Sequence, residues 1–197
     1  MFPIEDGPRS VVRDLVAGVS PYDDKEAADR TWMLDWVASG AQLFRLAKPA
    51  TPPQHLAVYA ALLDEESGSV MLVNHVKANA WLMPGGHVDD GEDPRRTIVR
   101  ELDEELRISP PFHPRFGDDP FFLTVTQTRG AHSHTDVTMW FVFKGDQRTP
   151  ITPDPAEFSD VRWFALETAG WAADQFDPGM ARFVAKLSNA LDRVAAG

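Results

Sequence analysis

Apolar residues along this chain follow two periods, and the change from one to the other divides it. Val11, Val12, Leu15 and Val16 recur at helical spacing and predict a short amphipathic helix. A second helix is expected after Pro21. Asp23 and Asp24 stand near its start, Trp32, Leu34, Trp36 and Val37 follow, and Gly40 is the stop. Trp32 and Trp36 are four apart and read as a packing pair on one helical face. Pro49, Pro52 and Pro53 mark a linker, after which the pattern turns to extended runs. Residues 56–63 and 70–76 flank a polar turn at 64–69 and read as a β-hairpin. Trp81, Leu82 and Met83 read as a short strand, because Pro84 biases Met83 toward extended backbone. Gly85 and Gly86 then allow a sharp turn and a close approach to a ligand.

Helical spacing returns with Ile98, Leu102 and Leu106, a stripe fit to face a core. Asp93 is the expected N-cap and Pro94 the first helical residue. Prolines from 110 to 120 signal an irregular connection. Residues 121–128 and 137–143 read as strands, 149–155 as a proline-rich loop and 161–164 as a short strand. Phe183, Leu187, Leu191 and Val194 predict a closing amphipathic helix. This order gives a mixed α+β protein of the α/β class with hairpins, not the regular strand–helix alternation of a doubly wound sheet. No internal repeat is visible.

Composition narrows the class without choosing a function. The chain has 197 residues, 43% hydrophobic and 25% charged, ordinary for a globular domain with its own core. It has no cysteine, which removes disulfides, thiolate metal sites and a cysteine nucleophile, and fits a cytoplasmic location. No secretory signal pattern is read at the N-terminus, and no apolar run is long enough to span a bilayer. The net charge of −11 argues against a general nucleic-acid surface. It would also repel a phosphorylated substrate, unless a bound divalent cation reversed the local sign.

The helix at 94–106 carries the candidate chemistry. Glu101, Glu104 and Glu105 stand at i, i+3 and i+4, so they share one face. Like charges at that spacing destabilise a helix, and something positive should answer them. Arg100 with Glu104 could be no more than an i, i+4 surface pair. That reading covers the charges alone and leaves Gly86 and Glu92, at fixed offsets ahead of the cluster, unexplained.

Residues 86–108 resemble the signature box of the Nudix (MutT-like) hydrolases. Gly86 and Glu92 enclose five residues, seven more follow, and then Arg100-Glu101-Leu102-Asp103-Glu104-Glu105-Leu106 runs in register, with Ile108 closing the box. One position departs: Arg107 stands where the family has a glycine that serves the exit from the helix.

The resemblance implies a Nudix fold, a mixed β-sheet sandwiched between helices (α/β/α). It assigns residues 49–197 to the Nudix domain and leaves residues 1–48 as an N-terminal helical extension. That extension could cover a sheet face, form a homodimer contact or shape the substrate entrance. The implied activity is divalent-metal-dependent hydrolysis of a small molecule, a nucleoside diphosphate linked to another group. Glu101 and Glu105 would be the principal ligands of Mg²⁺ (or Mn²⁺), and Glu104 a further ligand or the group that activates water. The Gly85 carbonyl would be a backbone ligand, while Arg100 and Glu92 would orient the carboxylates. Glu157 is the candidate for an extra acidic residue from a later loop, with an ordinary loop glutamate as the alternative. His87, inside the box, could contact phosphate.

Among the six histidines, His132 and His134 could bind metal from one side of a strand. With no third ligand at local spacing, a turn or substrate-edge role is favoured over a zinc site. Trp81 and Trp140 could stack on a base, but both lie in strand-like runs where core packing is commoner. Two readings compete with hydrolysis. A non-catalytic nucleotide-binding or regulatory module would rest on Arg107 and the N-terminal helices. Isomerase chemistry within the same fold would need a cysteine in its usual form, and this chain has none.

Overall fold

The structure is a computed structural model that describes residues 7–48, 50–128 and 133–195, with residues 194 and 195 described by their backbone only. His132 and the side chain of Val194 therefore lie outside the described residues.

The sheet is built outward from β1 (Gln54–Asp64). Its apolar run is buried on both faces, as expected of a central strand. Along one edge β1 pairs in parallel with β6 (Thr135–Lys144), which in turn pairs antiparallel with β5 (Phe122–Gln127). The other edge of β1 is shared. Its first half pairs with β4 (Gly85–His87), and its end turns into β2 (Ser69–His75). β3 (Ala80–Leu82) and β7 (Phe158–Ala165) both pair antiparallel with β2. The expected hairpin is thus present, within a seven-stranded mixed sheet.

Helices cover both faces. Leu56, Val58, Ala60 and Leu62 of β1 join one core cluster with α1 (Pro8–Gly18), α2 (Asp24–Ala38) and α3 (Pro94–Leu106). Ala61 and Leu63 join the other, under α4 (Met180–Ala195), which contributes Met180, Phe183, Val184 and Leu187. Trp140 belongs to this second cluster, fully buried with its indole N–H donating to Thr124 Oγ1 at 3.0 Å; it is a packing residue, not a base platform. Trp32 and Trp36 stack at 5.9 Å, as their spacing predicts. No helix among the described residues is long and apolar enough to cross a membrane.

Polar ties bind α2 to the rest of the molecule. Asp23 is the N-cap of α2, accepting from the Glu26 N–H at 2.8 Å, and it also accepts two 2.7 Å bonds from the Arg182 guanidinium on α4. Arg182 holds the Asp23 carboxyl down, from 3.8 to about 2. A depressed folded-state value contributes stability above the unfolded value and loses it as pH falls toward the folded one. Acid unfolding curves should therefore show a component between about pH 4 and pH 2 that Asp23→Asn removes; denaturant midpoints across that window are the check.

The helix exit at Arg107 shows what the missing glycine does. Arg107 lies in the left-handed region, at φ 57° and ψ 42°, and its N–H returns to the Asp103 carbonyl at 3.1 Å. A side chain there clashes with the following carbonyl, which glycine avoids. Arg107→Gly should raise stability by ~0.5–1 kcal/mol, read as a rise of about 1–4 °C in Tm.

Candidate active site

Asp93 caps α3 through a 2.9 Å bond from the Arg95 N–H, and Pro94 follows at the first helical position. Glu92, just ahead of the cap, reaches along the helix. It accepts from Thr97 Oγ1 at 2.8 Å and from Arg100 Nε and Nη2 at 3.2 and 2.9 Å. The Arg100 guanidinium also donates to Glu101 at 2.9 Å and Glu104 at 3.2 Å. Arg100 is therefore not on the outer face of α3, where helical periodicity alone puts it. Its stem turns back so that one fork answers three carboxylates, the positive partner that the glutamate spacing requires. Arg100 holds the Glu92 carboxyl below its usual range.

Gly85 and Gly86 make a short strand on β1 rather than the expected free turn. A Cβ on Gly85 would strike the Val58 carbonyl oxygen, so the pairing excludes any side chain there. A Cβ on Gly86 would lie 2.6 Å from Glu101 Cδ and Oε1. The missing side chain is what lets the Glu101 carboxylate lie flat on the strand, largely out of water. The glycine pair does serve close approach, to β1 on one side and to a carboxylate on the other.

The carboxylates differ in environment. Glu104 is the exposed one and Glu101 the buried one, at 57% and 13% side-chain exposure. Burial pushes the Glu101 carboxyl up, against the pull of Arg100. Glu105 goes further, to about 8, because burial is joined by the negative fields of Glu101, Glu157, Asp154 and Glu104. Its Oε2 is buried and has no hydrogen-bond partner among the described residues. Such an atom is costly unless a cation completes it. Clustered, desolvated carboxylate oxygens suit a hard divalent ion. The residues present therefore fit a divalent metal.

The 154–157 loop is anchored beside the end of α3 by the Asp154 N–H on the Glu105 carbonyl, at 2.8 Å. This brings Glu157 into the electrostatic neighbourhood of Glu105, while Lys77 holds its carboxylate at 2.7 and 2.9 Å. His87 goes elsewhere. Successive side chains on a strand alternate faces, so with Gly86 against Glu101 the imidazole of His87 turns away. It meets Asp136 at 3.1 Å and His134 at 3.3 Å, beside His55. Sequence reasoning missed this second cluster, since His87 and His134 are 47 residues apart and only the β1–β4 and β1–β6 pairings unite them. Trp81 is half-buried against Phe164 and under the Arg162 guanidinium.

The model of the NUDIX domain matches residues 53–187, more than half of the chain. The chain belongs to the Nudix family. Among curated relatives, it is 41% identical over 66 residues to the nucleoside diphosphate-linked moiety X motif 6 protein of Xenopus laevis, spanning 32% of this chain and only 30% of that one. It is 29% identical over 135 residues to an RNA pyrophosphohydrolase of Cereibacter sphaeroides, spanning 62% of this chain and 83% of that one. Among solved structures, a C. elegans Ap4A hydrolase in a binary complex superposes with a TM-score of 0.55 at 21% identity, covering 70% of this chain and 97% of that one. The expected α/β/α sandwich is the Nudix fold. The protein is a Nudix hydrolase.

Proposed function

We propose that the carboxylates of α3 hold Mg²⁺, or Mn²⁺ in its place, and that this site cleaves the diphosphate bond of a nucleoside diphosphate linked to another group. The orphaned, buried Oε2 of Glu105 carries this reading, because it is a ligand atom without a partner among the described residues. Glu101 and Glu105 are the principal ligands, with the Gly85 carbonyl beside them. Glu104, exposed and at the rim, is a further ligand or takes the proton of the attacking water. Bound metal supplies charge for the diphosphate oxygens and acidifies water. Arg100 and Glu92 are positioning residues, since their fork fixes the glutamates before any ligand arrives. Glu157 is an accessory acid that must leave Lys77 to join the site.

Water then adds to one phosphorus and the bridging oxygen leaves with the other, giving a nucleoside monophosphate and a phosphorylated group. Phosphoryl transfer is mostly positioning and electrostatics, so carboxylates fixed on a rigid helix suit it. The cysteine-free composition supports a cytoplasmic setting. The exposed Trp32, at 39%, on the N-terminal helices is the residue around which a homodimer contact would form.

A panel of nucleotide sugars, dinucleoside polyphosphates, dinucleotide cofactors and oxidised nucleotides, incubated with Mg²⁺, tests the activity. Release of a nucleoside monophosphate from at least one member is expected. Nucleotide binding without turnover across the panel, under both Mg²⁺ and Mn²⁺, would refute it.

A further inference from the structure

The geometry points to a second metal site, on the sheet face away from the box carboxylates, formed by His55, His87, His134 and Asp136 and suited to a Zn²⁺-class transition ion. The four residues come from β1, β4, β6 and the residue just ahead of β6, and one ligand atom from each lies within 4.8 Å of all the others. Asp136 Oδ1 is 3.1 Å from His87 Nε2, 3.1 Å from His134 Nε2 and 4.0 Å from His55 Nε2, and the His87 and His134 nitrogens are 3.3 Å apart. Four ligands at ~2.0–2.1 Å around a tetrahedral ion stand ~3.3 Å from one another. Of the six spacings among four ligands, three already match, the one between His55 and Asp136 needs a shift of less than about 1 Å, and the two from His55 to His87 and His134 lie within 4.8 Å.

Hydrogen bonds between imidazoles and a carboxylate would explain 3.1 Å spacings without an ion. They do not explain His55. Its side chain is fully buried, and its Nδ1 lies 2.7 Å from the Pro52 carbonyl, which can only accept. The proton is therefore on Nδ1, and Nε2 presents a bare lone pair to the cluster. That atom has no partner among the described residues. A metal-ligating histidine has this arrangement: one nitrogen fixed by a backbone carbonyl, the other open. Three imidazoles and one carboxylate favour zinc-like ions over Mg²⁺.

One residue opposes the ion. Arg45 donates to His87 Nδ1 at 2.8 Å, which leaves the His87 proton on Nε2, facing Asp136. Ligation by His87 Nε2 requires that proton on Nδ1, so Arg45 must withdraw. Arg45 is thus a built-in competitor. An ion here would tie together three strands and brace His87, the neighbour of Gly86 in the box loop.

The test uses the full chain, stripped of metal and then titrated with Co²⁺ in the presence of excess Mg²⁺. An intense visible absorption, typical of tetrahedral cobalt, should saturate at one equivalent and be displaced by Zn²⁺. Asp136→Asn and His134→Gln should each weaken binding by at least ~10-fold, with unchanged far-ultraviolet circular dichroism, while Glu105→Gln should leave it intact. Arg45→Met should tighten it by about tenfold. An absent spectrum in the wild-type protein overturns the proposal. So does a spectrum that survives both cluster variants and disappears in Glu105→Gln, which would place the ion on the box glutamates. Hydrolysis is not read in this assay, so its outcome is separate from that of the diphosphate chemistry.

Discussion

Replacing Glu104 and Glu105 together by glutamine is expected to reduce Mg²⁺-dependent hydrolysis by at least ~100-fold, with the protein still folded. Loss of an outer-shell partner of a metal costs ~10–100-fold, and loss of a direct ligand together with the rim carboxylate should exceed that. Glutamine keeps the shape of both side chains, so packing of α3 is preserved. Glu105 is half-buried with its Oε2 out of water, and its carboxylate form is opposed by that burial and by Glu101, Glu157, Asp154 and Glu104. Glutamine resembles the neutral form that this environment favours, so the metal-free protein should be as stable as before, or more so. A variant inactive because it unfolds would show the opposite. Steady-state rates beside thermal melts separate the two, and a wild-type rate in the double variant would remove these glutamates from the chemistry.

The second large effect is on stability, where α2 meets α4 and β5. Glu26 has no solvent exposure; one oxygen accepts from Lys186 Nζ at 2.8 Å and the Leu123 N–H at 3.2 Å, the other from the Tyr22 N–H at 2.7 Å. Lys186 is itself only 11% exposed, and burial pulls its ammonium below the usual range. Removing one partner of a buried ion pair leaves the other charge without compensation, which costs ~3–5 kcal/mol. Glu26→Ala should therefore lower Tm on the order of 10 °C. Glu26→Gln with Lys186→Met, which removes both charges and keeps their volumes, should recover a large part of the loss. A double variant as unstable as Glu26→Ala would show that the two residues do not act as a pair.

Local chemistry made much of this molecule legible. The 64–69 turn set the hairpin, Asp93 and Pro94 set the start of α3, and the stripe of Ile98, Leu102 and Leu106 set its buried face. The glutamate cluster and its need for a positive partner followed from helical period, whereas the metal reading came from the resemblance of residues 86–108 to the Nudix box. What was missed depends on partners remote in sequence. Gly85 and Gly86 form a strand because β1 is eleven residues long and β2 occupies only part of its edge. The histidine cluster needed the register that sets His55 opposite Asp136 and Ala57 opposite His87. The path of Arg100 back to Glu92 is a rotamer choice, which periodicity does not encode.

The central claim is that α3 holds the divalent ion used in hydrolysis. Binding of Mn²⁺ to wild type and to Glu105→Gln, followed by electron paramagnetic resonance with the histidine cluster filled by Zn²⁺, addresses it most directly. Wild type should take up Mn²⁺ at the box site, and Glu105→Gln should bind it at least ~10-fold more weakly. Equal binding by the two proteins would contradict the account.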